Sequence, residues 1–177
     1  YGAKVPFLRP KRISLNKTLM IETVQYALNK LKIYKNKKFK YIVLLPVTSP
    51  LRNIEDILGA VTLLETSGAP NVVSAMPSRR SPYFNLVELD RKGRVILSKK
   101  LGTDIMRRQE SPSCYDLNAS VFVWSRRGLF AECNTVLQKE TLLFQMPESR
   151  SIDIDTELDF KIVEFLMTEN FRHTKCE

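Results

Sequence analysis

Tyr41-Ile42-Val43-Leu44-Leu45-Pro46-Val47-Thr48-Ser49-Pro50-Leu51-Arg52-Asn53 is the stretch on which the fold class turns. Tyr41 to Leu45 is a continuous apolar run rich in strand formers, the pattern of a strand buried on both faces of a parallel sheet. Pro46 and Pro50 stop it. Asn53, with Asp56 three residues on, reads as a helix start, and Ile54, Ile57, Leu58, Val61 and Leu64 follow at helical spacing. The unit is strand, polar loop, helix, which predicts an α/β fold. Thr48, Ser49 and Arg52 place two hydroxyls and a guanidinium beside a helix N-terminus, which suits an anion or nucleotide cradle. The plainer reading is that the hydroxyls only organise a turn between two prolines.

Upstream, Pro6 and Pro10 punctuate a rigid segment, and Met20, Val24, Ala27, Leu28 and Leu31 predict an amphipathic helix from about Asn16 to Tyr34. Downstream, Gly68-Ala69-Pro70 ends the second helix and Asn71 to Ala75 reads as a strand. Residues 77–105 then change pattern. Tyr83 to Leu89 and Val95 to Leu97 are strand-like runs joined at Asp90-Arg91-Lys92-Gly93, a hairpin excursion of the kind that carries oligomer contacts or a lid. Arg107-Arg108-Gln109 follows, and Arg108 could contact a carboxylate or phosphate in bidentate fashion, although paired arginines also serve as surface solubilisers. Leu117 to Trp124 reads as a strand, Ser125 to Leu137 as a short helix, and Thr141 to Met146 as a strand or connector.

Ser151-Ile152-Asp153-Ile154-Asp155-Thr156-Glu157-Leu158-Asp159-Phe160 closes the pattern. In an extended strand Ile152 and Ile154 would enter the core while Asp153 and Asp155 emerge together on the other face. Thr156 and Asp159 form a capping-box-like pair, and Leu158, Ile162, Phe165 and Leu166 continue at helical spacing. Paired carboxylates at a strand end repel unless a cation sits between them, and Mg2+ is the hard ion that suits them. A solvated acidic turn that caps a helix is the alternative.

The 177 residues, 44% hydrophobic, are enough for a single α/β domain across 1–177. No apolar run approaches membrane length, so no membrane partner is expected. The net charge of +9 would suit a phosphate-bearing partner, yet much of it sits in Lys30, Lys32, Lys35, Lys37, Lys38 and Lys40 after a helix, without interleaved aromatics, so nucleic acid is not expected. Cys114, Cys133 and Cys176 are odd in number and widely spaced, which fits a reducing cytoplasm better than a disulfide framework or zinc site. The single histidine, His173, leaves little for a triad, and the scattered glycines form neither a Walker loop nor a G-x-G-x-x-G fingerprint.

Together, Leu44 to Arg52, Arg107-Arg108-Gln109, Asn118-Ala119-Ser120-Val121-Phe122-Val123 and Met146 to Phe160, in this order and spacing, resemble the acylneuraminate cytidylyltransferase family, the CMP-sialic acid synthetases. The resemblance implies a three-layer α/β/α nucleotide-diphosphosugar-transferase-like (Rossmann-like) fold with a mainly parallel sheet, a homodimer partly built by the hairpin, and Mg2+-dependent transfer of CMP from CTP to a nonulosonic acid. By it, Asp153 and Asp155 would hold the metal. Arg108, Asn118 and Phe122 would fall where the family contacts the sugar acid, Gln109 would be among the substrate-binding residues, and Thr48, Ser49 and Arg52 would form the loop beside the substrates. The chain departs from the family pattern at Pro46-Val47, where a glutamine is usual, and at Phe122, where a tyrosine is common. The family also begins with a strand and a Gly/Arg/Lys-bearing phosphate loop, and none precedes Tyr1, so a domain truncated at its N-terminus is expected. Two rival readings remain at this point: a non-catalytic basic α/β module, and a cytidylyltransferase for a different sugar acid.

Overall fold

A computed structural model of the chain describes residues 2, 4–15, 17–35, 39–102, 107–131 and 135–174. Helix α1 (Met20–Lys35) leads into strand β1 (Tyr41–Leu44), which ends before Pro46 as its sequence requires. Helix α2 (Ile54–Ser67) starts with a full capping box: Asn53 Oδ1 accepts from the Asp56 amide and Asp56 Oδ2 from the Asn53 amide, each at 3.0 Å. It stops at Gly68, whose φ of 68° is the left-handed conformation glycine adopts without cost. Then come β2 (Asn71–Pro77), the hairpin strands β3 (Val87–Leu89) and β4 (Val95–Leu97), the long β5 (Tyr115–Ser125), a single turn α3 (Arg126–Leu129), β6 (Leu142–Gln145) and α4 (Glu157–Thr174).

The main sheet has the order β1-β5-β2-β6. Strands β1, β2 and β6 run the same way, and β5 lies reversed between β1 and β2, antiparallel to both. The sheet is therefore mixed, with three of its four strands sharing a direction. Side-chain alternation divides the core into two layers. On one face Val72, Val121 and Val123 meet Ala60 and Leu64 of α2. On the other Val73, Phe122 and Trp124 meet Ile21 and Val24 of α1. This is the three-layer α/β/α arrangement, and burying each of these large side chains contributes about 1.5–3 kcal/mol. Gly59 is what lets α2 lie so close to β6: a Cβ there would come within 2.6 Å of the Phe144 ring.

The hairpin stands as its own two-stranded sheet, with Val87 opposite Leu97 and Leu89 opposite Val95. Asp90 accepts from the amides of Lys92 and Arg94, which shapes the turn. The first expected strand is shorter than the sequence suggests, because the amides of Phe84, Asn85 and Leu86 all turn back onto the Ser81 carbonyl. The last residues of the 77–105 excursion, Thr103 to Ile105, lie outside the described residues, as do Asn16, Lys37, Lys38, Cys133 and Cys176.

Three expectations are corrected. Strand β1 is not buried on both faces of a parallel sheet: it lies at the sheet edge, antiparallel to β5, with Val43 38% exposed. Ser151 to Asp155 do not form a strand: none of them joins a strand ladder, and the backbone bond Ile154 N–H to Thr48 O at 2.9 Å ties the segment to the loop after β1. In α4 the periodic residues Leu158, Ile162 and Phe165 are exposed and Leu166 is half-buried, while Val163, off that stripe, is the buried residue among the described side chains.

Candidate active site

Ser49 is fully buried, and its hydroxyl faces three acceptors: Asp153 Oδ1 at 3.0 Å, Asn118 O at 3.2 Å and Ala119 O at 3.4 Å. A hydroxyl carries one proton, and the carboxylate is the strongest of these acceptors, so Ser49 fixes one oxygen of Asp153 and leaves the other. Thr48 contributes its carbonyl to Ile154. Arg52 does not point outward as a cradle; its Nη1 donates to the carbonyls of Pro46 at 2.7 Å, Ser49 at 2.5 Å and Ser120 at 3.4 Å. It pins the loop to β5, and burial lowers its pKa from the usual guanidinium value.

The other anchor is an irregularity in β5. Pairing with β2 shifts register between Val73 and Ala75, and Ala119 takes a φ of +48°, rare for a residue with a Cβ. The kink turns Asn118 inward. Its Oδ1 accepts from Ser74 Oγ at 2.7 Å and from the Ser120 amide at 3.3 Å, while its Nδ2 donates to Ser151 Oγ at 2.8 Å and approaches Met146 Sδ at 3.4 Å. Asn118 is 4% exposed and its amide is fully engaged, so it holds the acidic segment in place rather than facing a cavity. Phe122, expected beside the sugar acid, is 6% exposed and stacks on Trp124 in the α1 layer, because its register position sends it to that core face.

One element of this architecture was not read from the sequence. Arg150 grips Asp56 in a bidentate pair, Nε to Oδ2 and Nη2 to Oδ1, both at 2.8 Å. Asp56 was recognised only as a cap, and its buried environment could not be seen from spacing alone. Burial opposes its charge, but the bonds from Arg150 and the Asn53 amide outweigh that and hold the carboxyl below the ordinary aspartate range. Arg150 immediately precedes Ser151, so the pair locks the start of α2 to the start of the acidic segment.

Arg108 and Gln109 line a cavity of about 440 Å³, together with Pro77 at the end of β2, Tyr115 at the start of β5 and Gln145 at the end of β6. Arg108 Nη2 donates to the carbonyls of Ser78 at 3.2 Å and Arg79 at 3.1 Å, which orients the guanidinium on the cavity wall. The structure thus joins Thr48, Ser49, Asn118 and Asp153 in one network, sets Arg108 and Gln109 in the cavity, and keeps Arg52 and Phe122 in supporting positions.

Asp155 is exposed, and its amide donates to Asp159 Oδ2 at 3.3 Å. Asp159 is held below the ordinary carboxylate range by the Thr156 hydroxyl and amide, completing the cap of α4. The free oxygen of Asp153 and the carboxylate of Asp155 are hard donors, which fit a cation held by one or two carboxylates together with water and substrate phosphates. Among the described residues no group of three or more His, Cys, Asp and Glu side chains forms a closed metal cage.

An α/β/α domain with acidic residues at its strand ends is a recurrent frame for nucleotide chemistry, and comparison with known proteins identifies this one as a nucleotidyltransferase. It is 39% identical over 168 residues to the CMP-N,N'-diacetyllegionaminic acid synthase of Campylobacter jejuni, covering 95% of this chain and 70% of that protein. It is 37% identical over 169 residues to the post-translational flagellin modification protein B of Campylobacter coli, covering 96% and 70%. A shorter match, 32% over 119 residues, links it to the N-acylneuraminate cytidylyltransferase of Streptococcus agalactiae, covering 67% of this chain and 28% of that protein. The chain belongs to the acylneuraminate cytidylyltransferase family. No family model matches it.

Proposed function

We propose that this protein transfers CMP from CTP to a nonulosonic acid, releasing pyrophosphate, with Mg2+ as cofactor. The observation that carries the reading is the Ser49–Asp153 contact, which fixes one carboxylate of the acidic segment against the polar loop after β1. The sugar hydroxyl attacks the α-phosphorus, the new bond forms between that oxygen and phosphorus while the hydroxyl proton passes to water, and the bond to the leaving pyrophosphate breaks. Such a reaction needs in-line positioning and charge neutralisation more than a protein nucleophile. Mg2+ held by Asp153 and Asp155 would neutralise the phosphate charge and acidify the hydroxyl. Arg108 and Gln109, on the wall of the cavity, offer a guanidinium and an amide for the sugar carboxylate.

The acceptor is a sialic-like acid, and the diacetyllegionaminic acid made into its CMP ester by the Campylobacter relative is the first candidate. The enzyme works as a homodimer in the cytoplasm. Its dimer contact includes the hairpin, whose Val87, Leu89 and Val95 are exposed, since an isolated two-stranded hairpin is marginal in water. Among the described residues no helix is long and apolar enough to cross a membrane. The deciding experiment is a pyrophosphate-release assay of the full-length enzyme with CTP and a panel of legionaminic, sialic and eight-carbon sugar acids. Turnover with one of them that disappears in Asp155→Asn supports the proposal; turnover unaffected by that change removes the metal role.

A further inference from the structure

We infer that Arg150 and Asp56 are positioning residues for the metal-binding carboxylates, an inference that rests on the function proposed above. The loop after β1 and the first turn of α2 are tied to the acidic segment and the turn before it at three points: Asp56 to Arg150, Ser49 to Asp153, and Thr48 O to Ile154 N. Between Arg150 and Asp153 the chain forms neither strand nor helix, so no ladder of backbone bonds holds it. Its position is set by side chains. Of these ties the Asp56–Arg150 pair is the only ionic one, and it is bidentate, which fixes the orientation as well as the distance of the two segments.

The pair also explains a cost the fold accepts. Asp56 is 2% exposed, although a neutral cap such as asparagine would satisfy α2 without burying a charge. The charge is used to recruit Arg150, and Arg150 delivers Ser151 to Asn118 and Asp153 to Ser49. Groups that orient metal ligands from behind typically alter metal affinity by about 10–100-fold when removed. Here the effect passes through the backbone of Ser151 and Ile152 rather than through a direct bond to the ligand.

The test uses the full-length enzyme and Mn2+ alone, followed by electron paramagnetic resonance, with circular dichroism and thermal melting as the control for folding. Arg150→Lys keeps the charge and loses the fork; Asp56→Asn keeps the shape and the cap bond and loses the charge. We expect at least one to remain folded and to weaken Mn2+ binding by about tenfold, while Asp155→Asn abolishes it. A matching rise in the Mg2+ concentration for half-maximal turnover, with little change in KM for CTP, supports the same conclusion. Loss of Mn2+ binding in Asp155→Asn with unchanged binding in both pair variants overturns the positioning role and leaves the metal site standing. Unchanged binding in all three variants overturns both readings. Unfolding of both pair variants overturns it as well, since the pair then serves the fold alone.

Discussion

Ser49 Oγ lies 3.0 Å from Asp153 Oδ1, across 104 residues of sequence. This part-buried contact orients an acid that would otherwise turn freely in an irregular segment. Ser49→Ala is expected to leave Asp153 Oδ1 without its donor, to lower stability by about 1–2 kcal/mol, and to reduce turnover by about tenfold or more. Urea unfolding and pyrophosphate release read the two effects separately. Wild-type turnover in the variant removes the orienting role.

Acid should attack the protein through Asp56. Its carboxyl is depressed in the folded state, so its contribution is present above the ordinary aspartate pKa of about 3.9 and disappears as pH falls through the lower folded value. The loss therefore belongs below about pH 4, and stability curves of Asp56→Asn should be flatter there than those of the wild type. Arg150→Ala should cost about 3 kcal/mol at neutral pH, because it leaves the buried Asp56 charge without its partner. Denaturant titrations at pH 3 to 7 decide both points.

Gly59→Ala tests how closely α2 sits on β6. The added methyl meets the Phe144 ring, and about 1–3 kcal/mol of destabilisation is expected from overpacking. Pairing it with Phe144→Leu should recover part of the loss, which a double-mutant cycle measures. Independent, additive effects would show that the contact is not the cause.

The hairpin prediction concerns assembly. Leu89→Arg and Val95→Arg place charges on the exposed apolar face of a two-stranded sheet, where Leu89 and Val95 lie opposite each other. Analytical ultracentrifugation of the full-length enzyme should show a shift from dimer to monomer with the helical signal intact. A dimer that persists places the contact elsewhere.

How much of this was legible in the sequence follows from which interactions are local. The Asn53–Asp56 capping box, the Gly68 stop and the existence of β1 were read correctly because each depends on neighbours a few residues away; the burial of β1 inside a parallel sheet was not, because its place at the sheet edge is set by the distant β5. The α/β class followed from the same signals, and the three-layer arrangement from the family resemblance. The roles of Asp56, Arg150 and Asn118 did not, since they come from partners tens of residues distant. The irregular path of Ser151 to Asp155 was missed for a related reason: alternation describes a strand only where another strand lies alongside. Phe122 shows the converse, a residue assigned outward by analogy and sent inward by its register.

The reversed strand at the heart of the sheet governs the order in which the molecule can be made. Tyr41 pairs with Ser125 and Asn71 with Trp124, so among the described residues β1 has no ladder partner and β2 none until β5 has left the ribosome. During synthesis the apolar strands Tyr41–Leu44 and Asn71–Pro77 must wait unpaired, while the locally bonded elements α1, α2 and the β3–β4 hairpin can form early. Production of this protein should therefore respond to chaperone supply and to translation speed over the codons that precede β5, whatever the final stability of the finished fold.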